Sequence, residues 1–205
     1  MALPAVICYS ARARMNFLKA VPFTHELVRS VVNPGAVVVD ATAGNGHDAL
    51  FLARLVSPGG QVHAFDIQEA AVAATRRRLV EAGLESVLHL HHRGHEEMEG
   101  VLVERGLAGD VAAVMFNLGY LPGGDRDVIT RVGTTLRAAE AALEMLAPGG
   151  IMTVALYTGH PGGREEAEAM AGFCRGLDQD RFHALRYGFL NLRNDPPHVI
   201  AVEKA

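Results

Sequence analysis

From about Pro34 onward the chain alternates short apolar runs with helix-forming stretches, and few architectures accept that rhythm. The runs at 36–40, 61–66, 87–91, 111–116 and 151–157 have strand length and composition, whereas 47–56, 69–82, 96–105, 131–146 and 164–176 carry helical spacing, as does 25–31 before the first run. A strand, a helix and a second strand in succession pack as a parallel pair with the helix on one face. Near the end the pattern changes. Segments 182–190 and 198–202 read as strands, and the NLRNDPP link between them is too short for a crossover helix, so they form an antiparallel hairpin. The expected fold is α/β, a three-layer sandwich around a seven-stranded, mostly parallel sheet closed by a C-terminal antiparallel hairpin. At 205 residues the chain suits one core better than two. One domain is expected over 21–205, preceded by a loosely ordered arm, 1–20.

Composition narrows the class of partner. No segment approaches the roughly 20 apolar residues that cross a bilayer, so no membrane association is expected. A formal charge of -4 argues against coating nucleic acid by bulk basicity, yet leaves room for a local basic face. Cys8 and Cys174 lie far apart without ligand spacing, which suits buried thiols in the cytoplasm. The first residues carry Arg12, Arg14 and Lys19 with no acid before Glu26, a weak match to a transit peptide. A plain arm, starting at Met1 or Met15, is the simpler reading.

Pro-Gly-Gly recurs at 58–60, 122–124, 148–150 and 161–163. The first and third fall between a helix and the next strand and read as turns. The other two follow strands, at the carboxyl edge where open α/β sheets bind ligands.

That edge carries the chemistry. In Val37-Val38-Val39-Asp40-Ala41-Thr42-Ala43-Gly44-Asn45-Gly46-His47-Asp48 a strand runs through a glycine turn into a helix start, where unpaired N–H groups face a ligand. Taken alone GxGxxA also describes dinucleotide sites. Here, however, Asp40 ends the strand and three residues separate it from Gly44. This D-x-x-x-G-x-G form resembles motif I of methyltransferases that use S-adenosylmethionine. The resemblance implies that Asp40, Ala41, Thr42, Gly44, Asn45 and Gly46 hold the zwitterionic end of the cofactor. Asp66 ends the second strand, where a carboxylate accepts ribose hydroxyls, with Ile67 and Gln68 beside it. Helix capping is the alternative for Asp40 and Asp66, and a favourable helix-dipole interaction is preferred for Asp48. His89 and His91 share a strand face while His92 points away, and no acid or thiol completes a ligand spacing, so no metal is expected. His95 falls where methyltransferases bracket adenine.

The fourth strand ends in Phe116-Asn117-Leu118-Gly119-Tyr120-Leu121-Pro122-Gly123-Gly124-Asp125. Many amino-methyltransferases carry Asn/Asp-Pro-Pro-aromatic there, and NLGY keeps the first and last members. An amide oxygen can hold the hydrogens of a neutral amine so that its lone pair faces the methyl donor. Asn117 is thus the candidate amine holder and a cofactor neighbour, and Tyr120, beside Gly119, the candidate platform for a base. Asp125 and His160 are candidate proton acceptors. Arg193, with Arg126, Arg131 and Arg164, is a candidate phosphate contact, and Asn194 lies in the same hairpin loop.

From about Pro22 to Glu203 the chain resembles the small bacterial family first labelled putative rRNA methylases. The likeness rests on PFTHEL, VVDATAGNGHDALFLA, AFDIQ, FNLGYLPGGD, TTLRAAEAALEMLAPGG, YTGHPGG and RFHALRYGFLNLRNDPP. It implies a Rossmann-like class I methyltransferase using S-adenosylmethionine. It further implies an acceptor: 5-aminomethyl-(2-thio)uridine at the tRNA wobble position, becoming 5-methylaminomethyl-(2-thio)uridine, with the anticodon stem-loop as partner and a homodimer left open. Two departures are mild, a longer arm before Phe17 and Arg126 where a lysine is common. The alternatives are an rRNA or small-amine acceptor, a nicotinamide-dependent oxidoreductase, or a cofactor-binding module without turnover.

Overall fold

The computed structural model describes residues 17–121, 123 and 128–205. Expectations for the arm through residue 16, including Cys8 and a start at Met15, and for Pro122, Gly124, Asp125 and Arg126 lie outside the described residues.

The helices are α1 (Ala20–Val31), α2 (His47–Val56), α3 (Glu69–Glu81), α4 (Met98–Glu104), α5 (Val132–Met145) and α6 (Gly163–Arg175). The strands are β1 (Val37–Asp40), β2 (Gln61–Asp66), β3 (Leu88–His92), β4 (Val111–Leu118), β5 (Leu146–Leu156), β6 (Phe182–Tyr187) and β7 (His198–Lys204). They form one sheet in the order β3-β2-β1-β4-β5-β7-β6. The first five are parallel, and β7 runs antiparallel to both β5 and β6. The expected seven strands and closing hairpin are therefore present.

Alternation along the central strands builds the layers. Val38, Val62, Ala113 and Met115 pack under α1 and α2, whose Val28, Leu52, Ala53 and Val56 are buried. Val39, Phe65, Val114 and Phe116 face the opposite cluster, with Met98 and Leu102 of α4, Ala138 and Ala142 of α5 and Met170 of α6. Val111 and Ala113 should share a face by the two-residue period, yet they lie in opposite clusters. A register irregularity between them shifts the alternation, as a bulge does.

Several boundaries differ from expectation. The first helix begins at Ala20 rather than 25, because Ala20, Thr24 and Val28 form one buried stripe. The fourth strand continues to Leu118, so Asn117 sits within it instead of after it. The helix expected over 96–105 is preceded by a 3-10 turn, His95–Glu97. Pro148-Gly149-Gly150 is not a turn before β5 but part of it. A Cβ on Gly150 would lie 2.9 Å from the Val111 carbonyl oxygen, so glycine there permits close approach to β4. The expected strand 182–190 stops at Tyr187, which lengthens the hairpin loop.

Strand order reverses between β1 and β4, and the chains leaving their carboxyl ends diverge. A crevice opens at such a switch point.

Candidate active site

That crevice is a cavity of about 1090 Å³. Its walls are the loop after β1 (Ala41, Thr42, Gly44, Asn45), the end of β2 (Asp66, Ile67, Gln68), His95, the end of β4 (Asn117, Gly119, Tyr120), and Tyr157 and His160 after β5. Asn194 reaches it from the hairpin loop. Of the residues expected at the site, Asp40, Gly46 and the exposed Arg193 do not line this cavity.

The two loop glycines divide the work. Gly44 (φ +51) faces the cavity, and its N–H donates to Asp66 Oδ2 at 2.9 Å. Gly46 (φ +76) instead lies against α3, where an added Cβ would stand 2.8 Å from Thr75 Cα. The loop is braced from α3, with Thr75 Oγ1 donating to the Gly44 carbonyl at 3.2 Å and Arg78 Nε to the Asn45 carbonyl at 2.6 Å. Asp66 Oδ1 accepts the Gln68 N–H at 2.9 Å. Each carboxylate oxygen keeps lone-pair capacity for a hydroxyl.

Asp40 is fully buried beneath the loop, where Oδ1 accepts the Thr42 N–H at 3.2 Å. Burial and the neighbouring Asp48 carboxylate hold its pKa well above the usual carboxylate range. Its Oδ2 has no partner among the described residues. His95 is also buried, edge-on to Phe116 with ring centroids 5.7 Å apart, and burial lowers its pKa so that the neutral ring is favoured.

Asn117 sits at the junction of these elements. Its N–H donates to Thr42 Oγ1 at 2.7 Å, and its side-chain Nδ2 donates to Asp48 Oδ2. Because a carboxylate accepts and does not donate, this contact sets the amide's orientation. Asn117 Oδ1 is then left buried and without a partner among the described residues. Asp48 Oδ1 meets His25 Nε2 at 2.7 Å, which places the proton on that nitrogen. His25 lies flat against Phe51, centroids 3.8 Å apart and planes 4° from parallel.

His25 and Asp48 are what sequence reading missed. Asp48, preferred there as a helix-dipole residue, is buried, lines the cavity and bonds on both oxygens. A signal was present, since an acid in the first turn after a ligand loop can face the ligand as well as the dipole. His25 lies within the PFTHEL motif, but nothing local marks it as a partner for a residue 23 positions away.

After β5, close to Gly119, His160 Nδ1 donates to the Pro161 carbonyl at 3.0 Å. In the neutral ring this makes Nε2 an acceptor, and it too is buried without a partner among the described residues. Tyr120 stands edge-on to that ring, centroids 6.1 Å apart, and is 41% exposed. Beyond Tyr120 the chain folds back. Tyr120 bridges Ile129, the Thr130 N–H donates to the Gly119 carbonyl at 3.0 Å, and Thr130 and Thr135 hydroxyls both donate to buried Glu166. Among the described residues no group of His, Cys, Asp or Glu is arranged to hold a metal ion. His89 and His91 do share a face, stacked beside His63.

The cavity's lining thus offers backbone and carboxylate groups together with two acceptors, Asn117 Oδ1 and His160 Nε2, that have no partner among the described residues. Residues 62–203 match the family model described as "Putative rRNA methylase". The chain is 38% identical over 181 residues to the chloroplastic tRNA (mnm5s2U34)-methyltransferase of Arabidopsis thaliana, covering 84% of this chain. It spans 65% of that relative's length. A Clostridium thermocellum protein described as an rRNA-methylase superposes with a TM-score of 0.88 at 40% identity, over 93% of this chain and 100% of the other. A Streptococcus mutans methyltransferase solved in complex with SAH superposes at 0.81 with 33% identity, over 92% and 99%.

Proposed function

The chain belongs to the "Putative rRNA methylase" family, and from that membership we propose that it is an S-adenosylmethionine-dependent N-methyltransferase acting on tRNA. Its acceptor is 5-aminomethyl-(2-thio)uridine at the wobble position, and its product is 5-methylaminomethyl-(2-thio)uridine. The Arabidopsis relative's name supports the acceptor, and the Streptococcus relative's bound SAH supports the cofactor.

One observation carries the reaction type: Asn117 Oδ1, buried on the cavity wall and unpartnered among the described residues, with its amide oriented by Asp48. A buried acceptor left open costs free energy unless a ligand supplies the donor. An amine has such donors, and holding one N–H aims the lone pair.

The cavity fits the cofactor. The glycine loop lets backbone approach the amino-acid end, and Asp66 retains capacity for ribose hydroxyls. When bound, S-adenosylmethionine supplies a sulfonium methyl, so that an N–C bond forms as the C–S bond breaks and its electron pair leaves on sulfur. Asn117 orients the amine. His160 Nε2 takes the proton that an ammonium substrate must first lose, and Tyr120, exposed at the rim, stacks on the pyrimidine. The anticodon stem-loop is the part of the RNA that this reading brings to the cavity. The cytoplasm is the compartment it calls for, although the Arabidopsis relative is named chloroplastic. Among the described residues no helix is long and apolar enough to cross a membrane.

The test is one reaction: purified protein, S-adenosylmethionine and tRNA from cells lacking this methylation, followed by nucleoside mass spectrometry. Loss of aminomethyl-uridine with gain of its methylated form is expected. Unchanged nucleosides alongside measurable cofactor binding would move the acceptor to rRNA or a small amine.

A further inference from the structure

An enzyme acting on tRNA must hold a polyanion, yet this chain has a formal charge of -4. Three of its arginines come together beside the main cavity. A second hollow of about 450 Å³ adjoins the main cavity and shares Thr158 and Asp195 with it. Arg164 and Arg175 of α6 and Arg186 of β6 line it, with His198 at the start of β7.

The placement follows from helix periodicity. Arg164, Glu168, Ala171 and Arg175 recur at intervals of four, three and four, so they form one stripe along α6. Ala171, small and mid-stripe, leaves room between the arginines. At 1.5 Å per residue the two lie about 16 Å apart along the helix axis, more than one phosphate spans but well matched to several consecutive ones. Arg186 approaches from the sheet side. β7 begins opposite the end of β5, with His198 paired to Leu156, so the hollow sits on the same edge of the sheet as the active site.

Its charge is largely uncommitted. Among the described residues Arg175 and Arg186 form no ion pair within 4.0 Å, whereas Arg164 meets Asp195 at 3.1 Å. That pair is exposed on both sides, and exposed pairs contribute little, so a phosphate can displace Asp195 cheaply. His198 is buried on the floor, and burial, then Arg186, lowers its pKa, so it adds no charge near neutrality. Glu168 and Asp195 are the opposing acids.

We infer that this hollow seats the sugar-phosphate backbone of the RNA substrate, with Arg164, Arg175 and Arg186 bonding phosphate oxygens while the target nucleotide enters the main cavity past Thr158. The inference rests on the tRNA reading above. Guanidinium groups bond phosphate through paired N–H donors, and such contacts fix register without reading sequence. The hollow therefore positions the strand, and recognition of the modified base stays with the main cavity.

The test uses the whole protein with Arg175→Gln and Arg186→Gln combined, both exposed positions outside the reaction machinery. Binding of hypomodified tRNA is followed by fluorescence anisotropy across salt concentration, and methyl transfer is measured to that tRNA and to the free 5-aminomethyl-2-thiouridine nucleoside. The expected result is a roughly tenfold weaker tRNA affinity and a log–log salt slope shallower by about 2, one per lost phosphate contact. The KM for tRNA rises, while kcat, cofactor affinity and transfer to the nucleoside stay at wild-type values. Arg175→Lys with Arg186→Lys restores part of the affinity. If the wild type methylates tRNA and the Gln variant matches it in affinity and salt slope, the phosphate seat is overturned and the tRNA reading stands. If the wild type neither binds nor methylates tRNA, both fall.

Discussion

Asn117 bears three demands at once: its N–H holds Thr42, its amide nitrogen binds Asp48, and its oxygen is left open. Asn117→Ala keeps the backbone N–H bond to Thr42 Oγ1 and removes the other two. Cofactor affinity should persist while kcat falls about a hundredfold, the scale of a lost alignment contact. Wild-type turnover would take Asn117 out of the mechanism. Asp48→Asn asks a finer question. An amide at position 48 can donate as well as accept, so the Asn117 amide loses its fixed orientation and its open oxygen gains a competing partner. The expected outcome is a kcat lowered about tenfold or more with cofactor affinity little changed. If instead the cofactor dissociation constant rises and kcat holds, Asp48 grips the cofactor's ammonium rather than Asn117. Of these residues Asn117 was legible in the sequence because a polar amide ending a buried strand is locally odd. Asp48 and His25 were not, because their meaning lies in a contact between segments that only the fold brings together.

At the scale of elements, the loop between β1 and α2 works as a joint whose two glycines do different things. The sequence pattern treats them alike. Gly46 faces α3, so Gly46→Ala both strains a backbone at φ +76 and drives a Cβ to 2.8 Å from Thr75 Cα. Gly83 also has a positive φ, +69, but nothing lies within 4 Å of a Cβ placed there. Gly46→Ala should therefore destabilise by about 1–3 kcal/mol more than Gly83→Ala in denaturant unfolding. Equal costs would mean that backbone conformation, and not the approach of α3, sets the requirement. Strand limits were the weaker part of the sequence reading for a related reason. Pro-Gly-Gly has the composition of a turn, but at 148–150 it lies within β5, because the bulge beside Val111 lets the strands pair that early. Propensity had no means of anticipating a close approach by β4.

For the molecule as a whole, the alternation of elements was sufficient to give seven strands, three layers and the ligand-binding edge, since that pattern repeats along the chain. What it left out were interactions across strands, and the histidines are the largest case. His63 Nδ1 lies 3.2 Å from His91 Nε2, and His89 stacks on His63 at 4.8 Å. Burial first, then neighbouring histidines and Arg105, lowers His63 to about 3. Burial, then Arg105, lowers His91 to about 4. His89, His95 and His198 are lowered as well, each chiefly by burial. An unfolded histidine titrates near 6.5. Between that value and about 4 the unfolded chain takes up protons that the fold refuses, so stability falls as pH falls. Asp40 acts in the opposite direction. Its raised pKa favours the protonated fold, a contribution present below about 3.8 and lost as pH rises through its folded value. His63 and His91 can each account for one proton over this range and Asp40 for one at most, so the histidine slope dominates. Thermal unfolding followed by circular dichroism should show Tm dropping progressively as pH is lowered from about 7 to about 4.5. His91→Gln, which removes one titrating ring from the stack, should flatten that drop. A Tm independent of pH over the same range would mean that these rings are not held neutral by the fold.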